Sequence, residues 1–183
     1  ESHYVNECLK DAMRFQRLGK SELNVSTIIM GTFQAGKEKW AGIDDTLTSR
    51  AIRAAFDAGI TTFDSAAAYG KGHSERILGA ALDDVRDQVV LATKVSPNRL
   101  GYDQVLNACH SSLKNLGTDY IDLYQIHWPS GSFGGKVVPI EETMAAMIKL
   151  KDVGKIRAIG VSNFSQAQVA EAAKYGCIDS LQP

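Results

Sequence analysis

The sequence predicts an α/β fold of the (β/α)8 barrel type, with about the first six βα units present in this chain. Three observations predict it. β-prone apolar runs alternate strictly with segments of helical periodicity, which implies a parallel sheet joined by helical crossovers. The first run ends in Gly31-Thr32-Phe33-Gln34-Ala35-Gly36, without the G-x-G-x-x-G turn that an open dinucleotide-binding sheet carries there. Chemically competent residues close strand after strand, first Asp64, Lys94 and His127 and then Ser162-Asn163. In a barrel those C-terminal strand ends share one mouth, where reactive groups belong.

Taken in order, residues 27–32 read as the first strand, and Ile52 and Phe56 recur at i, i+4 spacing in a helix over 49–58 that Gly59 ends. The same grammar predicts strands over 61–65, 89–95, 120–127, 156–161 and 178–181, with helices over 74–82, 103–115, 141–152 and 166–175 between them. Gly59, Gly117, Gly154 and Gly176 sit where a left-handed residue releases a helix into a strand. Ser165 and Gln168 form a capping box, and Ser74 is expected to cap helix 74–82, with Glu75 favourable beside its N-terminus. Met144, Met147 and Ile148 make an apolar helix face directed at the core, while His110 belongs on a helix surface.

Six strands fall short of the eight strands and about 250 residues of a complete barrel. The chain is therefore expected to be incomplete at its C-terminus. Residues 13–183 are assigned to the barrel and residues 1–12 to an extension or non-native leader, because MRFQRLGKS begins at Met13.

Composition narrows the function classes. With 44% hydrophobic and 22% charged residues, 183 residues can bury a real core. A net charge of -1 and the absence of Lys/Arg runs argue against nucleic acid or an anionic membrane as partner. No apolar stretch approaches the roughly 18 residues of a membrane span, and the first residues lack a secretory pattern, so a cytoplasmic location is expected. Cys8, Cys109 and Cys177 lie far apart without CxxC or histidines at metal-ligand spacing. No metal site or disulfide framework is expected, and Cys109 and Cys177 are read as buried small hydrophobes.

Asp64, Tyr69, Lys94 and His127 together make a coherent proton-donor site. A free phenol has a pKa of about 10, so one that cycles its proton near neutrality needs its anion stabilised. A lysine ammonium about 4 Å away contributes about 4 kcal/mol at an effective dielectric of about 20, or about three pKa units. Asp64 on the adjacent strand would keep that ammonium charged and in place, and a neutral His127 could orient a carbonyl.

The motifs FDSAAAYGKGHSE, LATK around Lys94, DYIDLYQIHWP around His127 and GKIRAIGVSNFS occur in one order along the chain. In these motifs the chain resembles the aldo-keto reductase family. The resemblance implies a barrel that transfers hydride between NADP(H) and an aldehyde or ketone, NAD(H) not being excluded. It implies a tetrad of Asp64, Tyr69, Lys94 and His127 with Tyr69 as proton donor. It further implies that Ser162, Asn163 and Gln182 hold the nicotinamide carboxamide, with Gly31, Thr32 and Asp64 also lining the cofactor. Trp128 and Phe33 are expected to face substrate, and residues 131–142 to form a substrate-side loop with Phe133 as a wall.

Two other classes compete. A redox-sensing or regulatory subunit would keep the barrel and cofactor with little turnover, as potassium-channel β subunits resembling this family do. An aldolase-type barrel would use Lys94 as a Schiff-base nucleophile, which a neighbouring carboxylate opposes by keeping the amine protonated.

Overall fold

The computed structural model describes residues 13–38, 40 and 42–183. The extension assigned to residues 1–12, with Cys8, lies outside the described residues. Six strands form one all-parallel sheet in sequence order: β3 (Ile29–Gly31), β4 (Thr62–Asp64), β5 (Val90–Val95), β6 (Ile121–Ile126), β7 (Ile156–Ser162) and β8 (Ser180–Gln182). Helices α1 (Asp45–Asp57), α2 (His73–Leu82), α3 (Tyr102–Leu116), α4 (Ile140–Asp152) and α5 (Gln166–Ala172) make the crossovers. The sheet curls into the half-barrel expected from the alternation. Among the described residues no helix is long and apolar enough to cross a membrane.

Alternation of side chains along each strand divides the sheet into two faces. The convex face carries Phe63, Leu91, Tyr124, Ile159 and Val161 against Ile52, Leu78, Leu113, Met144, Met147 and Leu150 of the helices. Met144 and Met147 are thus core residues, as their spacing predicts. The concave face carries Val90, Ala92, Leu123 and Ala158. These pack against Leu18, Leu23 and Val25, which belong to an antiparallel hairpin, β1 (Phe15–Arg17) with β2 (Asn24–Ser26). The hairpin is absent from the sequence reading, because Phe-Gln-Arg and Asn-Val-Ser are mostly polar and lack the apolar run that marks the sheet strands.

Several boundaries shift for local reasons. β3 starts only at Ile29, because the chain first turns at Ser26, whose Oγ accepts from Thr61 N and Thr62 N. α1 starts four residues before residue 49, since Asp44 accepts from Leu47 N at 2.8 Å and caps it there. α5 stops at Ala172, and the chain closes in a tight turn from Tyr175 N to Ala172 O. Gly59, Gly117 and Gly154 take left-handed φ as expected, and Gly176 does not. It lies against Ile148 and Met144 instead. Cys109 is buried, whereas Cys177 is exposed on the turn before β8, against the sequence expectation.

One ionic cluster ties the strand N-terminal ends together. Asp122, fully buried, accepts from Arg86 and Arg157, each at 2.7 Å, and from Leu91 N at 3.0 Å. Removing one member of such a buried cluster strands the others without a counter-charge. Asp122→Ala is accordingly expected to lower unfolding free energy by about 3 kcal/mol in urea titrations. A loss below about 1 kcal/mol would show that water takes over the two arginines at no cost.

Candidate active site at the strand C-terminal ends

Parity along the strands places the polar residues. Asp64 on β4, Lys94 on β5, Gln125 on β6 and Ser162 on β7 all point into the concave face, and registers Lys94↔Gln125 and Ser162↔Gln182 set them side by side. A cavity of about 440 Å³ opens there, lined by Gly31, Asp64, Gln125, Ser180 and Gln182 above an apolar floor of Val25, Ala92 and Leu123. A hollow of about 600 Å³ at the opposite ends of the strands, beside Arg86 and Asp119, contains none of these residues.

Lys94 is 1% exposed, and its Nζ donates to Asp64 Oδ2 at 2.6 Å and to Ser65 O at 2.8 Å. Burial lowers the Lys94 pKa, and the Asp64 carboxylate opposes that shift. The ammonium is held by charge-assisted bonds that offset part of its desolvation.

Tyr69 lies on the loop between β4 and α2, half-buried, with Lys94 Nζ 5.4 Å from its ring centroid. His127 packs edge-on at 5.7 Å and Phe33 at 4.9 Å. Burial first, and then the Asp64 charge, push the Tyr69 pKa up to about 12. This differs from the expectation that Lys94 lowers it, because the lysine charge is spent on a carboxylate in direct contact. His127 is pushed down to about 4, by burial and then by the Lys94 charge, so its imidazole is neutral at pH 7.

The Tyr69 loop is held by close backbone contact and by one serine. A Cβ on Gly70, whose φ is +59°, would come within 2.4 Å of Gly36 O, and one on Gly36 within 2.7 Å of Gly70 N. Only glycine lets these two loops touch. Ser74 is not the cap of α2, since left-handed Gly72 takes that position. Ser74 faces inward, fully buried, with Oγ 2.7 Å from Thr32 O and 3.0 Å from Ser65 Oγ. It ties the ends of β3 and β4 to the start of α2. Glu75 is also fully buried, accepting from Thr93 Oγ1 and Asn115 Nδ2, and so does more than face the helix N-terminus.

On the far side of the mouth, Asn163 adopts φ +61°, a left-handed conformation that asparagine tolerates better than most residues. Its backbone N donates to Gln182 O at 2.9 Å, and its Nδ2 to His127 O and Ser162 Oγ, both at 3.0 Å. Trp128 packs on Phe133 at 5.2 Å within the loop after β6, and Phe133 itself is 80% exposed. Of the two candidate substrate residues, Phe33 packs on the Tyr69 ring and Trp128 on Phe133.

The structure brings together Asp64, Tyr69, Lys94 and His127, and adds members that sequence reading missed. Gln125 is one, and its signal was available: a polar residue inside an apolar strand at the same parity as His127. Ser65 and Ser74 gave no such signal, since their partners come from distant segments.

A curled parallel sheet with an ion pair, a phenol and a neutral imidazole at its C-terminal mouth defines a half-barrel with its polar groups gathered at one end. The Aldo/keto reductase family profile matches residues 27–183, and the chain belongs to that family. It is 42% identical over 181 residues to aldo-keto reductase YhdN of Bacillus subtilis, covering 93% of this chain and 53% of that protein. It is 46% identical over 121 residues to methylglyoxal reductase YeaE of Escherichia coli, covering 66% of this chain and 40% of the other. An aldo-keto reductase from Klebsiella pneumoniae, solved with NADPH, superposes with a TM-score of 0.75 at 34% identity, over 88% of this chain and 54% of that one. The chain thus spans about half the length of the curated relatives it matches.

The His127 shift carries a stability consequence. With a folded pKa of about 4 against 6.5, the unfolded chain binds the extra proton between those values. The contribution is fully present above about pH 6.5 and is lost as pH falls toward 4. Between pH 7 and pH 5 the wild type should lose about 1 kcal/mol more than His127→Gln, allowing for solvent screening. Parallel urea midpoints for the two proteins over that range would contradict the buried neutral imidazole.

Proposed function

We propose that the full-length protein reduces aldehydes and ketones with NADP(H), with Tyr69 delivering the proton. The observation that carries this reading is the convergence of Tyr69, the Lys94–Asp64 pair and neutral His127 at one mouth. The polar groups beside them suit a nicotinamide carboxamide, which needs one donor and one acceptor. Asn163 Nδ2 is engaged by His127 O and Ser162 Oγ, which leaves Asn163 Oδ1 to accept and the Ser162 hydroxyl proton to donate. Gly31 has open space where a side chain would stand, so its strand end admits a ring, with Thr32 beside it. The NADPH in the Klebsiella relative supports the same cofactor here, with NAD(H) also compatible with these residues.

When bound, NADPH supplies the hydride to the carbonyl carbon. Charge then develops on the carbonyl oxygen, and Tyr69 donates its phenolic proton there. A phenol with a pKa near 12 is fully protonated at pH 7, so the proton is present when needed. Lys94, held by Asp64 and Ser65 O, places positive charge near the phenolate that remains. Neutral His127 can donate an N–H to the same carbonyl oxygen and orient it. Two of the Lys94 donor positions are engaged, which speaks against the Schiff-base role.

The second reading, a cofactor-binding regulatory subunit with little turnover, draws on the half-burial of the Tyr69 ring near the Asp64 charge, which raises the phenol and makes it a reluctant acid. Oxidation of NADPH with 4-nitrobenzaldehyde separates the two. Steady turnover supports the reductase, and tight NADPH binding without turnover overturns it. In the active enzyme Tyr69→Phe should reduce kcat about 100-fold or more while NADPH affinity stays within about twofold. An unchanged kcat would remove Tyr69 from the proton step.

A further inference from the structure

Gln125 has no part in the reaction as set out above, yet its surroundings are specific. It lies on β6, 2% exposed, between Lys94 on β5 and Gly160 on β7. Its side chain crosses Gly160, where a Cβ would come within 2.9 Å of both Gln125 Cγ and Oε1. Glycine weakens a strand interior, and here it vacates the volume the glutamine occupies. A leucine would fill the same inward position without a polar group to satisfy, and a buried amide is costly unless bonded.

The bonds of Gln125 lead to the mouth. Ser180 Oγ donates to Gln125 Oε1 at 3.4 Å, and Gln125 Nε2 donates to Gln182 Oε1 at 3.4 Å. Gln182 Nε2 donates to Asp64 Oδ2 at 3.5 Å, the oxygen that also accepts from Lys94. Each link is long and individually weak, but all have one polarity. The Asp64 oxygen paired with the Lys94 ammonium accepts, so the Gln182 end facing it must carry N–H. Gln182 Oε1 then faces Gln125, which must offer its own N–H there, and Gln125 Oε1 turns to the Ser180 hydroxyl. Asp64 and Gln125 thus hold the Gln182 amide from its two ends in one orientation.

We infer that Gln125 is a positioning residue, which together with Asp64 fixes the end of the Gln182 amide that is presented to the nicotinamide carboxamide. The inference rests on the proposed contact between Gln182 and the cofactor. A flipped Gln182 would set acceptor against acceptor at Asp64 and reverse its offer to the carboxamide.

The test is a double-mutant cycle in the full-length protein, read by NADPH fluorescence titration and by kcat with 4-nitrobenzaldehyde. Gln182→Ala and Gln125→Leu should each weaken NADPH about fivefold to tenfold, and the double variant should bind no worse than Gln182→Ala alone. Gln125→Glu keeps the shape but sets an acceptor against Gln182 Oε1, so it should lose at least as much as Gln125→Leu. Ser180→Ala, which leaves the strand packing in place, should weaken NADPH about threefold. In Gln125→Leu and Ser180→Ala the loss should fall on NADPH affinity rather than on kcat at saturating NADPH. Native affinity in both Gln125 variants alongside a weakened Gln182→Ala overturns the role of Gln125, as do additive losses in the double variant. Native affinity in Gln182→Ala overturns the carboxamide contact, and the inference falls with it.

Discussion

The mouth of this half-barrel is organised around a lysine taken out of water. Lys94 is buried nearly completely, and a buried ammonium is tolerable only with a carboxylate and a further acceptor in place. Meeting that requirement fixes much else. Asp64 must end β4 beside β5, and the backbone must turn at Ser65 so that its carbonyl faces the ammonium. The same turn starts the loop that brings Tyr69 over the site. The second lone pairs of Asp64 then become the anchor for Gln182 on the opposite side of the mouth.

The two ends of the strands use buried charge differently. At the N-terminal ends, Asp122 is surrounded by two arginines and a backbone N–H, all well bonded. Nothing there is left to react, and the cluster acts as a fastening between β5, β6 and β7. At the C-terminal ends the charges are balanced but the phenol and imidazole are left in their neutral forms. That division, a bonded fastening at one end and neutral polar groups open to a cavity at the other, matches the way parallel barrels separate stability from function.

What could be read from the sequence follows the same physics. The strand order and the positions of Asp64, Lys94, His127 and Asn163 were legible because each βα unit repeats one pattern and each of these polar residues falls at its strand end. The β1–β2 hairpin was not legible, since its strands are mostly polar and lack the apolar run that marks the strands of the sheet. Ser74 misled because serine near a helix start reads as a cap, and only the left-handed Gly72 before it and the distant Thr32 and Ser65 reveal its inward role. The raised pKa of Tyr69 was equally hidden, because it depends on how deeply the ring is covered and on Asp64 lying close to it.

The contact between Gly36 and Gly70 acts as a rigid linkage. With backbone resting on backbone and no side chain between, there is no compressible layer to absorb motion. A displacement of the turn that carries Phe33 must therefore carry Tyr69 with it, so the two rings move as one part. The arrangement gives up adaptability at that wall in exchange for keeping the phenol aimed.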